Sequence, residues 1–140
     1  MSESTSQLTY IYKIVDGSVT IPLDVSSLPD ALEVSDLDKN SGFIHLSTVP
    51  QVKGTLKHFF GTHERVYLLR IPFEPVESNI KWEDPKAEVC GNRDGEGMFP
   101  HLYNGLRLGK NEIDAIRVFT KEKDSSWDKA LDDAQDWLIY

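Results

Sequence analysis

The sequence predicts a single α+β domain, and three observations lead there. Several segments show the two-residue alternation and the β-branched, aromatic content of strands. Two others, 49–60 and 125–140, space their apolar residues as amphipathic helices do. The length, 140 residues, suits one domain that buries roughly two-thirds of its unfolded surface without disulfide or metal staples.

The elements follow in chain order. Residues 1–7 are small and polar and read as a disordered tail, leaving 8–140 as the domain. LTYIYKIV (8–15) is the first strand, with Leu8, Tyr10, Tyr12 and Ile14 on one face. Residues 16–41 carry Gly17, Pro22, Pro29 and repeated Asp and Ser. Neither period wins there, so a long loop is expected, with a helical turn at 29–33. GFIHLS (42–47) is the next strand. Thr48 then offers an N-cap before Pro50 in the first helical turn, and Val52, Leu56 and Phe59 recur at helical spacing up to Gly61.

RVYLLRIPF (65–73) reads as the central strand, and NIKWE (79–83) as a short one. DPKAEVCGNRDGEG (84–97) is a polar, glycine-rich loop of the length that is usually functional. Strands at 99–103 and 111–121 follow. Ser125 and Asp128 form a capping-box-like start for a final helix carrying Trp127, Leu131, Ala134 and Leu138 as its apolar stripe.

The charge balance excludes some classes of function. With 23 acidic against 15 basic residues, the net charge is −8. No basic block supplies the phosphate neutralisation from which polynucleotide binding draws its affinity, so a small-molecule partner is favoured over a nucleic-acid polymer. No apolar run approaches the ~20 residues of a membrane helix. The lone Cys90 cannot bridge internally, and MSESTSQ has no signal-peptide pattern. The expected setting is therefore the cytoplasm or nucleus. Nothing in the sequence fixes an oligomeric state.

Two histidines sit in apolar surroundings. His45 shares a strand face with Phe43 and Ser47, an arrangement that suits either a satisfied core histidine or a polar pair lining a cleft. His101 lies within FPHLY (99–103), and Trp82-Glu83 brings a carboxylate to a strand end. No metal site is expected. His58 and His63 are misplaced for a helical pair, His58 being expected to pack at the helix end and His63 to face solvent, and no cysteine pair helps. A two-histidine phosphoesterase needs H-x-[ST] twice; His45-Leu46-Ser47 fits and His101-Leu102-Tyr103 does not. Cys90 has no evident activating base, and GNRDGEG is no phosphate loop.

YIYKI (10–14), GFIHLST (42–48) and WE followed by FPHLY (82–83, 99–103) together resemble the DUF952 family of small uncharacterised domains. The resemblance implies an ADP-ribosyltransferase-like fold: split mixed or antiparallel sheets with flanking helices and an inter-sheet cleft suited to NAD. More distantly, GFIHLST is similar to a strand of the RNA 2′-phosphotransferases. By this resemblance His45, His101 and Glu83 are the catalytic candidates, with Glu83 stabilising an oxocarbenium-like centre. Tyr12, Lys13, Ser47 and Tyr103 are the NAD-contacting ones. Many family members have histidine where Lys13 stands, and lysine is a donor-only cation. Two functions stay open: an NAD-using transferase or hydrolase, and a non-catalytic nucleotide- or ligand-binding module. A phosphoesterase comes third.

Overall fold

The computed structural model describes residues 8–93 and 95–140; the expected polar tail at 1–7 lies outside the described residues. The elements are β1 (Tyr10–Asp16), α1 (Asp36–Ser41), β2 (Ile44–His45), α2 (Val49–Phe59), β3 (Arg65–Pro72), α3 (Phe73–Val76), β4 (Ile80–Glu83), β5 (Phe99–Leu102), β6 (Ala115–Thr120) and α4 (Asp128–Asp133). They form two antiparallel three-stranded sheets, ordered β1-β3-β6 and β2-β5-β4, so the protein is α+β.

The first sheet is the middle layer. β3 is its centre, pairing Ile14 with Leu68 on one side and Leu69 with Ile116 on the other. Its alternation feeds two cores. Ile11, Tyr67, Leu69 and Ile71 face Ile44, Leu46, Trp82 and Leu102 of the second sheet region. Tyr12, Ile14, Val66 and Leu68 face Val52 and Leu56 of α2, and Trp127. A strand buried on both faces reads as a continuous apolar run, which is why RVYLLRI does.

A backbone bridge ties the two sheets together. Tyr12 and Ser47 exchange both backbone hydrogen bonds at 2.8 Å, so the chain leaving β2 crosses to β1. This shortens the expected strand at 42–47: the regular pairing with β5 covers Ile44 and His45, and the Leu46 N–H adds one bond to the Pro100 carbonyl at 3.1 Å. Gln51 closes the start of α2, its Oε1 accepting the Thr48 backbone N–H at 3.0 Å, while its Nε2 donates to the Met98 carbonyl at 2.7 Å.

Several local expectations are corrected. The 16–41 region holds a 3-10 turn at Val25–Ser27 and the helix α1, with no helical turn at 29–33. The final helix is only α4, with Trp127 at its N-cap and the Ser125 hydroxyl donating to the Glu122 carbonyl. Its downstream backbone is used elsewhere: Ile139 N–H donates to the Tyr12 hydroxyl at 2.8 Å, and that hydroxyl donates to the Ile139 carbonyl at 2.9 Å. Phe59 is 69% exposed and Phe60 packs in its place. His58 is exposed, whereas His63 is half-buried against Phe60 and Asp16.

Candidate functional site

The second sheet has one apolar and one polar face. Ile80, Leu102 and Ile44 lie in one cross-strand row, and with Trp82 they enter the core. The next row, Lys81, His101 and His45, points to the opposite face, as period-two alternation requires. Phe43, Tyr103 and Glu83 join these residues there.

Each histidine is held by a carboxylate. His45 Nδ1 lies 2.7 Å from Asp38 Oδ1, which also accepts the His45 backbone N–H at 3.2 Å. The other Asp38 oxygen accepts from Lys13 Nζ at 2.6 Å, and Lys13 also donates to the His45 carbonyl at 3.2 Å. Asp38 is fully buried. Burial pushes its carboxyl up, but the bonds from His45 and the charge of Lys13 outweigh that and hold it below the usual carboxylate range. An ionised acceptor fixes the proton on Nδ1 and leaves Nε2 as the working nitrogen of His45, whose side chain is 22% exposed.

The second pair lies beneath the surface. His101 Nδ1 is 2.9 Å from Glu83 Oε1, and the Tyr103 hydroxyl donates to the same oxygen at 2.7 Å. Burial pushes Glu83 up, yet these two hydrogen bonds leave it below the ordinary glutamate value. Burial likewise raises the Tyr103 phenol, helped by Glu83, to about 12. Burial depresses His101 despite the pull of Glu83, and the charge of His45 adds to the depression.

The two imidazoles have centroids 4.9 Å apart, edge to face. Phe43 stacks on His101 at 4.3 Å and lies 4.6 Å from His45 and 4.9 Å from Tyr103. His101 Nε2 is buried with no hydrogen-bond partner, a state that costs about 1–3 kcal/mol. Two carboxylate-held imidazoles, one open and one buried, are suited to proton transfer at a ligand docked on His45.

Of the seven residues anticipated from sequence, the fold gathers His45, His101, Glu83, Tyr103 and Lys13. Glu83 does not face outward. Its Oε1 is shared by two donors, and Cys90 Sγ is 3.8 Å from Oε2, so it orients His101 and Tyr103 from behind. Tyr12 and Ser47 lie apart from the cluster: the Tyr12 hydroxyl is turned to Ile139, and Ser47 Oγ is 3.3 Å from Thr55 Oγ1 on α2. Asp38 was not anticipated. Its signal was a helix start, Ser35 with an acid three residues later and Gly42 in the left-handed region (φ 82°) at the end.

The profile of DUF952, a protein family of unknown function, matches residues 25–115, more than half of the chain. The chain belongs to the DUF952 family. The matched span contains Asp38, His45, Glu83, His101 and Tyr103, while Lys13 precedes it. The crystal structure of protein CC0527 from Caulobacter crescentus is similar to this DUF952 chain, with 27% identity and a TM-score of 0.59 over 84% of this chain and 92% of that one. The solution NMR structure of the same bacterial protein gives 26% identity and a TM-score of 0.61 over 89% and 94%. No curated protein matches. Among the described residues, no group of three or more metal-ligating side chains is suited to a metal ion, and no helix is long and apolar enough to cross a membrane.

Proposed function

We propose that this DUF952 domain binds a phosphorylated nucleotide on the polar face of its second sheet, and transfers or hydrolyses it with His45 as the acid or base. NAD is the ligand that the family resemblance suggests, the split antiparallel sheets being read as an ADP-ribosyltransferase-like fold. The observation that carries the proposal is the bond from buried Asp38 to His45 Nδ1 at 2.7 Å. A carboxylate in that position fixes the tautomer and the ring orientation, and leaves the opposite nitrogen, Nε2, to meet a ligand.

The residues fit part of such a ligand. His45 and Lys81 are accessible on one row, and the orphaned His101 Nε2 supplies a polar atom beneath them. Cavities of about 420 and 580 Å³ lie elsewhere, lined by residues such as Tyr10 and Glu74 or Lys121 and Lys129. The row thus receives one end of a nucleotide on an open surface and leaves the remainder in solvent. Bound NAD would supply a glycosidic bond activated by its nicotinamide leaving group. His45 would hold or move the proton, with Asp38 fixing its orientation.

A non-catalytic binding module is the second reading, favoured by one observation: Lys13, where the family resemblance implies histidine, is tied to Asp38 and the His45 carbonyl. Titration calorimetry with NAD, ADP-ribose and AMP on the wild type and His45→Ala, together with an assay for free nicotinamide, separates the readings. Release of nicotinamide that is lost in His45→Ala supports catalysis. Binding without release supports the module, and no binding of any of the three sinks the nucleotide reading.

A further inference from the structure

We infer that Lys81 is the anion-binding residue of this face and takes the phosphate of a nucleotide whose reacting end lies at His45. The inference rests on the nucleotide reading above and adds the direction in which the ligand lies. Lys81, His101 and His45 occupy one cross-strand row. At the usual spacing between strands, the Lys81 and His45 backbones are roughly 10 Å apart. The Lys81 side chain is exposed, and its Nζ stands 4.5 Å from the centroid of the Tyr103 ring. Cation–π attraction thus holds the ammonium over a ring that itself packs against Phe43 beside the histidines.

Neighbouring charges single out Lys81. Lys13 is only 14% exposed and already donates to Asp38 and the His45 carbonyl. Lys81 makes no ion pair among the described residues. The acids close to it in sequence are otherwise engaged: Glu83 accepts from His101, Tyr103 and Cys90, and Asp84 accepts the backbone N–H groups of Lys86, Glu88 and Val89. In a chain of net charge −8, Lys81 is thus an exposed cation beside the two carboxylate-held histidines, with its ammonium in no ion pair among the described residues. An ammonium on a flexible stem meets a terminal phosphate as a point charge. The Tyr103 hydroxyl, committed to Glu83, does not compete for it.

The test titrates the full chain with AMP and adenosine, for the wild type, Lys81→Ala, Lys81→Arg and Lys81→Glu, after thermal melts confirm that each is folded. The wild type is expected to bind AMP about ten-fold more tightly than adenosine, the worth of one charge-assisted contact. Lys81→Ala should abolish that preference while keeping adenosine affinity, Lys81→Arg should retain it, and Lys81→Glu should reverse it. A preference that survives in Lys81→Ala overturns the assignment, as does an equal loss of both ligands. Equal wild-type affinity for AMP and adenosine overturns it while leaving the site itself standing. Failure of the wild type to bind either ligand overturns this assignment, and the nucleotide reading falls with it only where NAD and ADP-ribose also fail to bind.

Discussion

His45 and His101 face each other directly across β2 and β5, their rings 4.9 Å apart, and each is held at Nδ1 by its own buried carboxylate. The two pairs have opposite relations to solvent. His45 is backed by Asp38 and opens outward, whereas His101 is buried with Glu83 behind it and Phe43 stacked on its ring. One sheet face therefore carries an accessible imidazole on top of a concealed one, and each residue's contribution can be separated by what it touches.

Asp38 neutralises Lys13 and orients His45 at once, so Asp38→Asn leaves a largely buried ammonium without its counter-charge. A loss of about 3 kcal/mol at neutral pH is expected, as when one partner of a buried pair is removed. Asp38 is held below the usual carboxylate range in the folded state. Its contribution is thus full above the unfolded value of about 3.9 and is lost as pH falls through the folded value. Urea midpoints of wild type and variant should lie far apart at neutral pH and converge in strong acid. An undiminished gap in acid would show that the charge of Asp38 is not responsible.

His101 gives a pH dependence in a different window. Its folded value is depressed, mainly by burial, so between that value and about 6.5 the unfolded chain binds more protons than the folded one. Stability should therefore rise with pH across this window and level off above it. Replacing His101 with Gln should flatten that segment of the profile whatever its effect on absolute stability. Thermal melts across mildly acidic to neutral buffers read the slope, and an unchanged slope in the variant would assign it to another group.

How legible this was depended on whether the pattern was local. β1 and β3 announce themselves because alternation and apolar content survive any tertiary context, and His45 and His101 stood out as polar groups in apolar strands. Asp38 was hidden because its importance comes from Lys13 and His45, which no local spacing connects to it. The helix that carries it was legible in Ser35, Asp38 and Gly42 but masked by the surrounding prolines and acids. The C-terminal stripe misled in the other direction. Trp127 and Ala134 are buried as the helical period implies, yet the helix stops at Asp133 because the following backbone is recruited by Tyr12 and Arg70. Likewise, Ser47 shares alternation with His45 only while the strand is continuous, and the switch of its pairing to Tyr12 turns its hydroxyl to Thr55.

Tyr12 tests that C-terminal contact. Its hydroxyl both accepts from and donates to the Ile139 backbone, so Tyr12→Phe deletes two hydrogen bonds with little change in packing. The expected cost is about 1–2 kcal/mol, accompanied by faster hydrogen exchange at the Ile139 amide. Nucleotide affinity should be unaffected, because the hydroxyl points away from the histidine cluster. A large fall in affinity with no change in exchange would restore Tyr12 to the ligand site.

Glu83 has its own spectroscopic reporter in Tyr103. The phenol is pushed up to about 12, first by burial and then by the hydrogen bond to the Glu83 carboxylate. Glu83→Gln replaces the charged acceptor with a neutral one and should bring Tyr103 down, without restoring the ordinary value of about 10, since the burial persists. Tyr12 is also raised to about 12, chiefly by burial, and its hydroxyl is bonded to Ile139 instead of Glu83. It therefore serves as an internal control whose titration should not move. Phenolate absorbance of wild type, Glu83→Gln and the Tyr103→Phe double variant resolves the two tyrosines. If Tyr103 titrates unchanged in Glu83→Gln, the carboxylate does not govern the electrostatics beneath the site. A fall confined to Tyr103 shows that the buried Glu83 carboxylate, together with burial, holds the Tyr103 phenol up.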